Sequence, residues 1–142
     1  MQIGFSVRLP GDAHSVPFVR GLCRQALEHL DVDPVASDEM LLALSEACAN
    51  AVQHAAPGQD FVVEVDIDDD LWRVGVVDAG AGFDAAVAAA ADQPVSLLDG
   101  GSGLRLMRAL VDDLDFRLDP DGRHRVSFEK HLRPAVRTAP SA

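Results

Sequence analysis

Hydrophobic and polar positions along the chain predict five strands. Ile3, Phe5, Val7 and Leu9 alternate with small or polar residues, which is the pattern of a strand with one buried face. Further strands are predicted for the stretches 61–67, 71–77, 114–118 and 126–132. A tight turn at residues 69–70 is expected to join the second strand to the third, so these two should form an antiparallel hairpin.

The same pattern predicts three helices, where apolar residues recur every three or four positions. The predicted ranges are 19–30, 37–55 and 102–111. Ser37 is expected to cap the second helix, because Asp38 and Glu39 then fall in its first turn, where the helix dipole favours negative charge. The stretch 84–99 shows neither period and is expected to be a partly mobile loop.

The order of these elements, β-α-α-β-β-loop-α-β-β, predicts the fold class. Hairpins with helices inserted between them favour an α+β two-layer sandwich, with a mixed, mostly antiparallel sheet and helices on one face. We expect one domain over residues 1–133. A disordered tail is expected over 134–142, a short stretch with two prolines and no periodicity.

Composition narrows the classes of function. The 142 residues include 23 acidic and 12 basic side chains, for a formal charge of −11, which argues against nucleic acid and an anionic membrane as partners. We see no membrane span and no signal peptide, and therefore expect a cytoplasmic protein. Two cysteines are too few for a disulfide scaffold. The single lysine, Lys130, follows Glu129, so a P-loop nucleotide site is excluded.

The second helix carries the first candidate site, Glu46 and Asn50. One helical turn separates them, so they lie about 40° apart around the axis, away from the apolar stripe. Asparagine is unfavourable in the middle of a helix. This pair is either a solvated helix face or a functional pair, in which Asn50 offers an amide oxygen to Mg²⁺ and Glu46 orients or deprotonates a nucleophile.

The second candidate follows the third strand, where Asp78, Gly80 and Gly82 form an Asp-x-Gly-x-Gly sequence. Glycines let the backbone approach a flat ligand closely. Asp78 ends an apolar strand, and a buried carboxylate needs a donor, which the exocyclic amino group of adenine would supply. The alternative is an ordinary glycine-rich turn in which Asp78 bonds to amides of its own loop.

The third candidate is the sequence Gly100-Gly-Ser-Gly103-Leu104 at the start of the third helix. Free amides and the positive end of the dipole make a helix N-terminus suitable for an anion such as a triphosphate. Arg105 in the first turn would add charge-assisted contacts. The alternative is a flexible hinge that precedes a helix.

Together, these three motifs resemble the N, G1 and G2 boxes of the Bergerat-fold (GHKL) ATPases, and the resemblance covers about residues 3–132. Two segments look most like the anti-sigma-factor serine/threonine kinases of bacterial sporulation and stress response. They are Glu46-Ala-Cys-Ala-Asn50-Ala-Val-Gln-His54-Ala55 and Gly100-Gly-Ser-Gly103-Leu-Arg-Leu-Met-Arg-Ala-Leu-Val-Asp112.

The resemblance implies a role for each matching residue. Glu46 would be the catalytic base and Asn50 the Mg²⁺ ligand in an ATP site, with residues 84–100 as the ATP lid. Adenine and phosphate contacts would come from Asp78, Gly80, Gly82, Gly101, Ser102, Gly103, Leu104 and Arg105.

The resemblance also implies partners. An anti-sigma factor of this kind binds a sigma factor and phosphorylates a STAS-domain antagonist on serine, using ATP and Mg²⁺, and its relatives are often homodimers. The same pocket would equally serve an ATP-gated protein-binding regulator that transfers no phosphate. The sequence does not separate these two functions.

Overall fold

The computed structural model describes residues 1–54, 58–78 and 102–132. Its elements, in chain order, are β1 (Ile3–Pro10), α1 (Ser15–His29), α2 (Pro34–His54), β2 (Asp60–Ile67), β3 (Leu71–Asp78), α3 (Ser102–Leu110), β4 (Asp113–Leu118) and β5 (His124–His131). The predicted loop over 84–99 and the predicted tail over 134–142 lie outside the described residues. Within the three described ranges, no helix is both long enough and apolar enough to cross a membrane.

The five strands form one sheet in the order β1-β2-β3-β5-β4. All four pairs of neighbouring strands are antiparallel. The sequence predicts a mixed, mostly antiparallel sheet, and the described sheet is purely antiparallel. Alternate residues of β2, from Phe61 to Ile67, are buried, as the strict alternation in the sequence predicts. They lie on the face that packs against the helices, which confirms the α+β two-layer sandwich.

The core lies between the sheet and the three helices. β3 contributes Trp72, Val74 and Val76 on the helix-covered face, and α3 contributes Met107. The largest fully buried side chain is that of Trp72. The opposite face of the sheet, which we call the open face, carries no described helix.

The start of α2 differs from the sequence prediction. The helix begins at Pro34, and Ser37 lies inside the first turn rather than at the cap. The backbone N–H of Ala36 donates to Asp33 Oδ2 at 3.1 Å, so Asp33 caps the helix. Proline is well suited to the first helical position, since its N–H would have no partner there.

Strand bounds also shift by one or two residues. β5 begins at His124, before the predicted Val126, because the polar residues His124 and Arg125 already pair with β3 on one side and β4 on the other. It ends at His131 rather than Leu132. The register is unchanged by these differences.

The two ends of the sheet are distinct and are named here for later use. The end that contains Asp78 and His124, which pair with each other, is the upper end. The end that contains Trp72 and Lys130, which also pair, is the lower end.

Candidate functional site

Glu46 and Asn50 lie in the C-terminal half of α2, one turn apart, and both are half-buried. Between them, Cys48 is fully buried in the core. α2 packs against both β3 and α3. The polar pair therefore borders the packed layer. The alternative interpretation of the sequence requires a fully solvated helix face, which these half-buried side chains do not form.

The side chain of Asn50 has an unusual feature. Its Nδ2 is buried and has no hydrogen-bond partner in the described part of the chain. A buried polar atom in this state is costly and calls for a physical explanation. A ligand that orders the amide would provide one.

This amide also fits Mg²⁺, which prefers oxygen ligands and is commonly held by one or two protein groups together with substrate phosphates. Among the described residues, no group of three or more His, Cys, Asp or Glu side chains is arranged to hold a metal ion. The Asn50 amide oxygen is thus a candidate ligand for an ion that nucleotide phosphates would also hold.

Asp78 is the last residue of β3 and is only 4 % exposed. It pairs with Phe61 on β2 and with His124 on β5, and Phe61 is fully buried on the helix-covered face. Because paired residues of antiparallel strands share a face, Asp78 also belongs to the helix-covered face. The predicted burial of this carboxylate is confirmed.

The N-terminus of α3 is the third part of the site. Ser102, Gly103 and Leu104 form its first turn, as the sequence predicts. Arg105 follows them and is half-buried. The remaining predicted site residues, Gly80, Gly82 and Gly101, lie outside the described residues.

Chain direction brings these three parts to the same end of the molecule. Lys130 at the lower end forms an ion pair with Glu39, near the start of α2, so α2 runs from the lower end towards the upper end. Asn50 lies eleven residues beyond Glu39, or about 16 Å along the axis. Lys130 also binds the last residue of α3, Leu110, and thus places the N-terminus of α3 towards the upper end.

The open face carries a second arrangement of polar groups. One row across all five strands, near the upper end, consists of Arg8, Val62, Val77, Arg125 and Arg117. Two rows closer to the lower end, the row consists of Gly4, Asp66, Arg73, Glu129 and Asp113, so that it holds three acids and one arginine. A cavity of about 390 Å³ on this face is lined by residues of both rows and by Gly75.

Sequence reasoning missed the side chains that hold the elements in place. The sequence pattern identifies Lys130 only as the single lysine and assigns no role to Asp33. A proline that directly follows an aspartate is the signal that identifies the Asp33 cap. For Lys130 there is no comparable signal, because its partners Glu39 and Leu110 are 91 and 20 residues away.

Comparison with known proteins shows the family of this chain. The family described as histidine kinase-like ATPase domain matches residues 9–128. The serine-protein kinase RsbW of Bacillus pumilus is 34 % identical over 93 residues, which cover 55 % of this chain and 56 % of that protein. The chain therefore spans just over half the length of this curated relative.

Solved structures share the fold at low sequence identity. The RsbU and RsbW domains of Rv1364c from Mycobacterium tuberculosis align with a TM-score of 0.67 and 22 % identity, covering 94 % of this chain and 34 % of that one. The SiaB–SiaC complex from Pseudomonas aeruginosa aligns with a TM-score of 0.62 and 14 % identity, covering 89 % of each chain. The family match spans all described elements except most of β1 and the end of β5, and the chain belongs to the histidine kinase-like ATPase domain family.

Proposed function

We propose that the protein is an ATP- and Mg²⁺-dependent protein serine kinase that acts as an anti-sigma factor. The observation that carries this proposal is the burial of Asp78 at the end of β3. The chain directions of α2 and α3, inferred from the contacts of Lys130, support a site there that includes Glu46, Asn50 and the N-terminus of α3. The partial similarity to RsbW, a serine-protein kinase, supports the type of reaction.

Each part of the site has a distinct task in this reaction. Asp78 accepts a hydrogen bond from the adenine amino group, and the first amides of α3 bind phosphate oxygens. Asn50 would hold Mg²⁺ together with the phosphates, and that ion would supply positive charge that offsets theirs.

Phosphoryl transfer is then a single displacement. The serine oxygen of the protein substrate forms a bond to the γ-phosphorus while the bond between that phosphorus and the β–γ bridging oxygen breaks, releasing ADP. Glu46 accepts the proton of the serine hydroxyl. The half-buried position of Glu46 limits competing solvation of its carboxylate.

Two isosteric variants test binding and chemistry separately. Asp78→Asn should weaken ATP by roughly tenfold or more, since a hydrogen bond to a charged acceptor contributes about 1.5–3 kcal/mol. Glu46→Gln should bind ATP normally and transfer no phosphate to serine. Calorimetry with Mg-ATP measures the first effect and intact-mass analysis of the substrate measures the second. Unchanged phosphate transfer by Glu46→Gln would contradict the role of the base.

We propose a sigma factor and a STAS-domain antagonist as the partners, the antagonist being the serine substrate. A sigma-factor partner implies that the protein acts in the cytoplasm. Support comes from the partial similarity to the serine-protein kinase RsbW. Incubation of the protein with labelled ATP and candidate antagonists tests this directly. If partners bind equally well with ATP and with a non-hydrolysable analogue, and no phosphoserine forms, the protein is an ATP-gated regulator.

We further propose a homodimer formed through the open face. A twofold axis in the plane of the interface, perpendicular to the strands, would bring Arg125 and Arg117 of one copy over Glu129 and Asp113 of the other. Sedimentation of an Arg117→Glu variant tests this arrangement, because it should favour monomers.

A further inference from the structure

The ammonium group of Lys130 connects three elements of the fold. Its Nζ donates to the carbonyl oxygen of Leu110 at 2.9 Å and lies 3.0 Å from Glu39 Oε2. Lys130 is on β5, Glu39 is on α2 and Leu110 is the last residue of α3. The lysine side chain is only 15 % exposed, so water screens these contacts weakly.

The C-terminal end of α3 is held to β5 by further bonds. The backbone N–H of Asp112 donates to the carbonyl oxygen of Glu129 at 2.9 Å. The backbone N–H of His131 donates to Asp112 Oδ2 at 2.6 Å. These two bonds join only the end of α3 to β5. The side chain of Lys130 also reaches α2, the helix that carries Glu46 and Asn50.

The position of the contact gives it influence on the far end of α3. The helix has nine residues and is thus about 13 Å long. A small change of its tilt about Leu110 therefore displaces the first turn at Ser102. A cation at the C-terminus of a helix also interacts favourably with its dipole. Lys130 consequently joins the C-terminal end of α3 to α2 at the lower end.

We propose that Lys130, with Glu39, is a positioning residue for the phosphates of the bound nucleotide. This inference rests on the proposed function, in which the N-terminus of α3 binds phosphate and Asp78 binds adenine. Lys130 touches neither group. It acts by holding the end of α3 opposite to the phosphate-binding turn against α2.

The separation of adenine and phosphate contacts supplies a specific readout. Adenosine uses the Asp78 contact and has no phosphate, whereas ATP uses both. A loosened α3 should weaken the binding of ATP and leave the binding of adenosine unchanged. A general loss of stability would weaken both ligands together, or would lower the melting temperature without changing the ratio of their affinities.

The experiment measures dissociation constants of Mg-ATP and of adenosine by calorimetry, together with melting temperatures. Lys130→Met retains most of the aliphatic stem and removes the charge. It should raise the dissociation constant of Mg-ATP by roughly fivefold and leave that of adenosine unchanged. Lys130→Arg should restore most of the ATP affinity. Glu39→Gln provides a second variant, expected to act in the same direction, should Lys130→Met fold poorly.

Arg73→Met is the matched control, because Arg73 is a cation on the neighbouring strand that pairs with Glu129 at 3.2 Å on the open face. The Arg73→Met variant should bind both Mg-ATP and adenosine with unchanged affinity. An unchanged ratio of ATP to adenosine affinity in Lys130→Met and Glu39→Gln overturns the positioning role and leaves the proposed function intact. A wild-type protein that binds ATP no more tightly than adenosine overturns both.

Discussion

Gly75 lies in the centre of β3 on the open face, beneath the side chain of Arg125. A Cβ at position 75 would be 3.0 Å from Arg125 Nη1 and 3.6 Å from Glu64 Oε2. Arg125 extends from β5 across β3 to Glu64 on β2, at 2.8 Å, and its Nε lies 3.1 Å from Asp119. The glycine provides the space that this crossing requires.

Gly75→Ala should therefore have two opposing effects on the free energy of unfolding. Alanine in the middle of a strand is favoured over glycine by roughly 0.5–1 kcal/mol. The new methyl group displaces the guanidinium by a few tenths of an ångström, which weakens a half-exposed ion pair that contributes up to about 1 kcal/mol. The two effects nearly cancel, and we expect a net change close to zero.

The cancellation should disappear when Arg125 is removed. In an Arg125→Ala background, Gly75→Ala should stabilise the protein by about 0.5–1 kcal/mol, because no side chain then needs to move. Urea denaturation of the four proteins in this cycle measures the coupling. An Arg73→Ala background is the control, since Arg73 makes no close contact with the Gly75 Cβ position, and there the net change should again be near zero. Equal stabilisation in all three backgrounds would refute the proposed steric conflict.

Two further outcomes are expected. Asp33→Ala should lower the free energy of unfolding by about 1 kcal/mol through loss of the α2 cap, whereas Ser37→Ala should have little effect; urea denaturation of both variants checks this. Burial raises the pKa of Cys23 and of Cys48 to about 12, so both thiols should react with a disulfide reagent at pH 8 only after unfolding. The pKa of each thiol is higher in the folded than in the unfolded protein, so the folded state favours the protonated thiols. The stability that comes from this preference is complete below about pH 9 and is lost as the pH rises towards 12. Denaturation midpoints between pH 8 and 11 should therefore fall, and they should fall less in a Cys23→Ala, Cys48→Ala variant; a midpoint independent of pH would contradict the shift.

The strands were the most predictable part of the fold because burial on one face imposes strict alternation. β2 illustrates this, since its buried positions are the ones that the sequence pattern indicates. The start of α2 was predicted wrongly because Ser37, followed by Asp38 and Glu39, has the pattern of a helix cap, although the helix already begins at Pro34. Local rules of this kind depend on the position within an element, which the pattern alone does not fix.

Part of the candidate site was equally predictable. Asp78 is buried at the end of β3 and Ser102 begins α3, as expected from an apolar strand that ends in an acid and from a glycine-rich helix start. The long-range contacts of Lys130 and Arg125 were not predictable. Arg125 pairs with Glu64, which is 61 positions away in the sequence, and no local pattern encodes such a pair.

The distribution of these contacts separates two kinds of distant variant. Substitutions on the open face, such as Gly75→Ala, alter ion pairs that do not reach α2 or α3, and they should leave nucleotide affinity unchanged whatever their effect on stability. Substitutions at the lower end of the helix-covered face alter the contact between α2 and α3 and should change phosphate affinity more than stability. Both groups lie far from Glu46 and Asn50, so distance from the site does not explain the difference. What distinguishes them is whether the contact holds a helix that ends at the site.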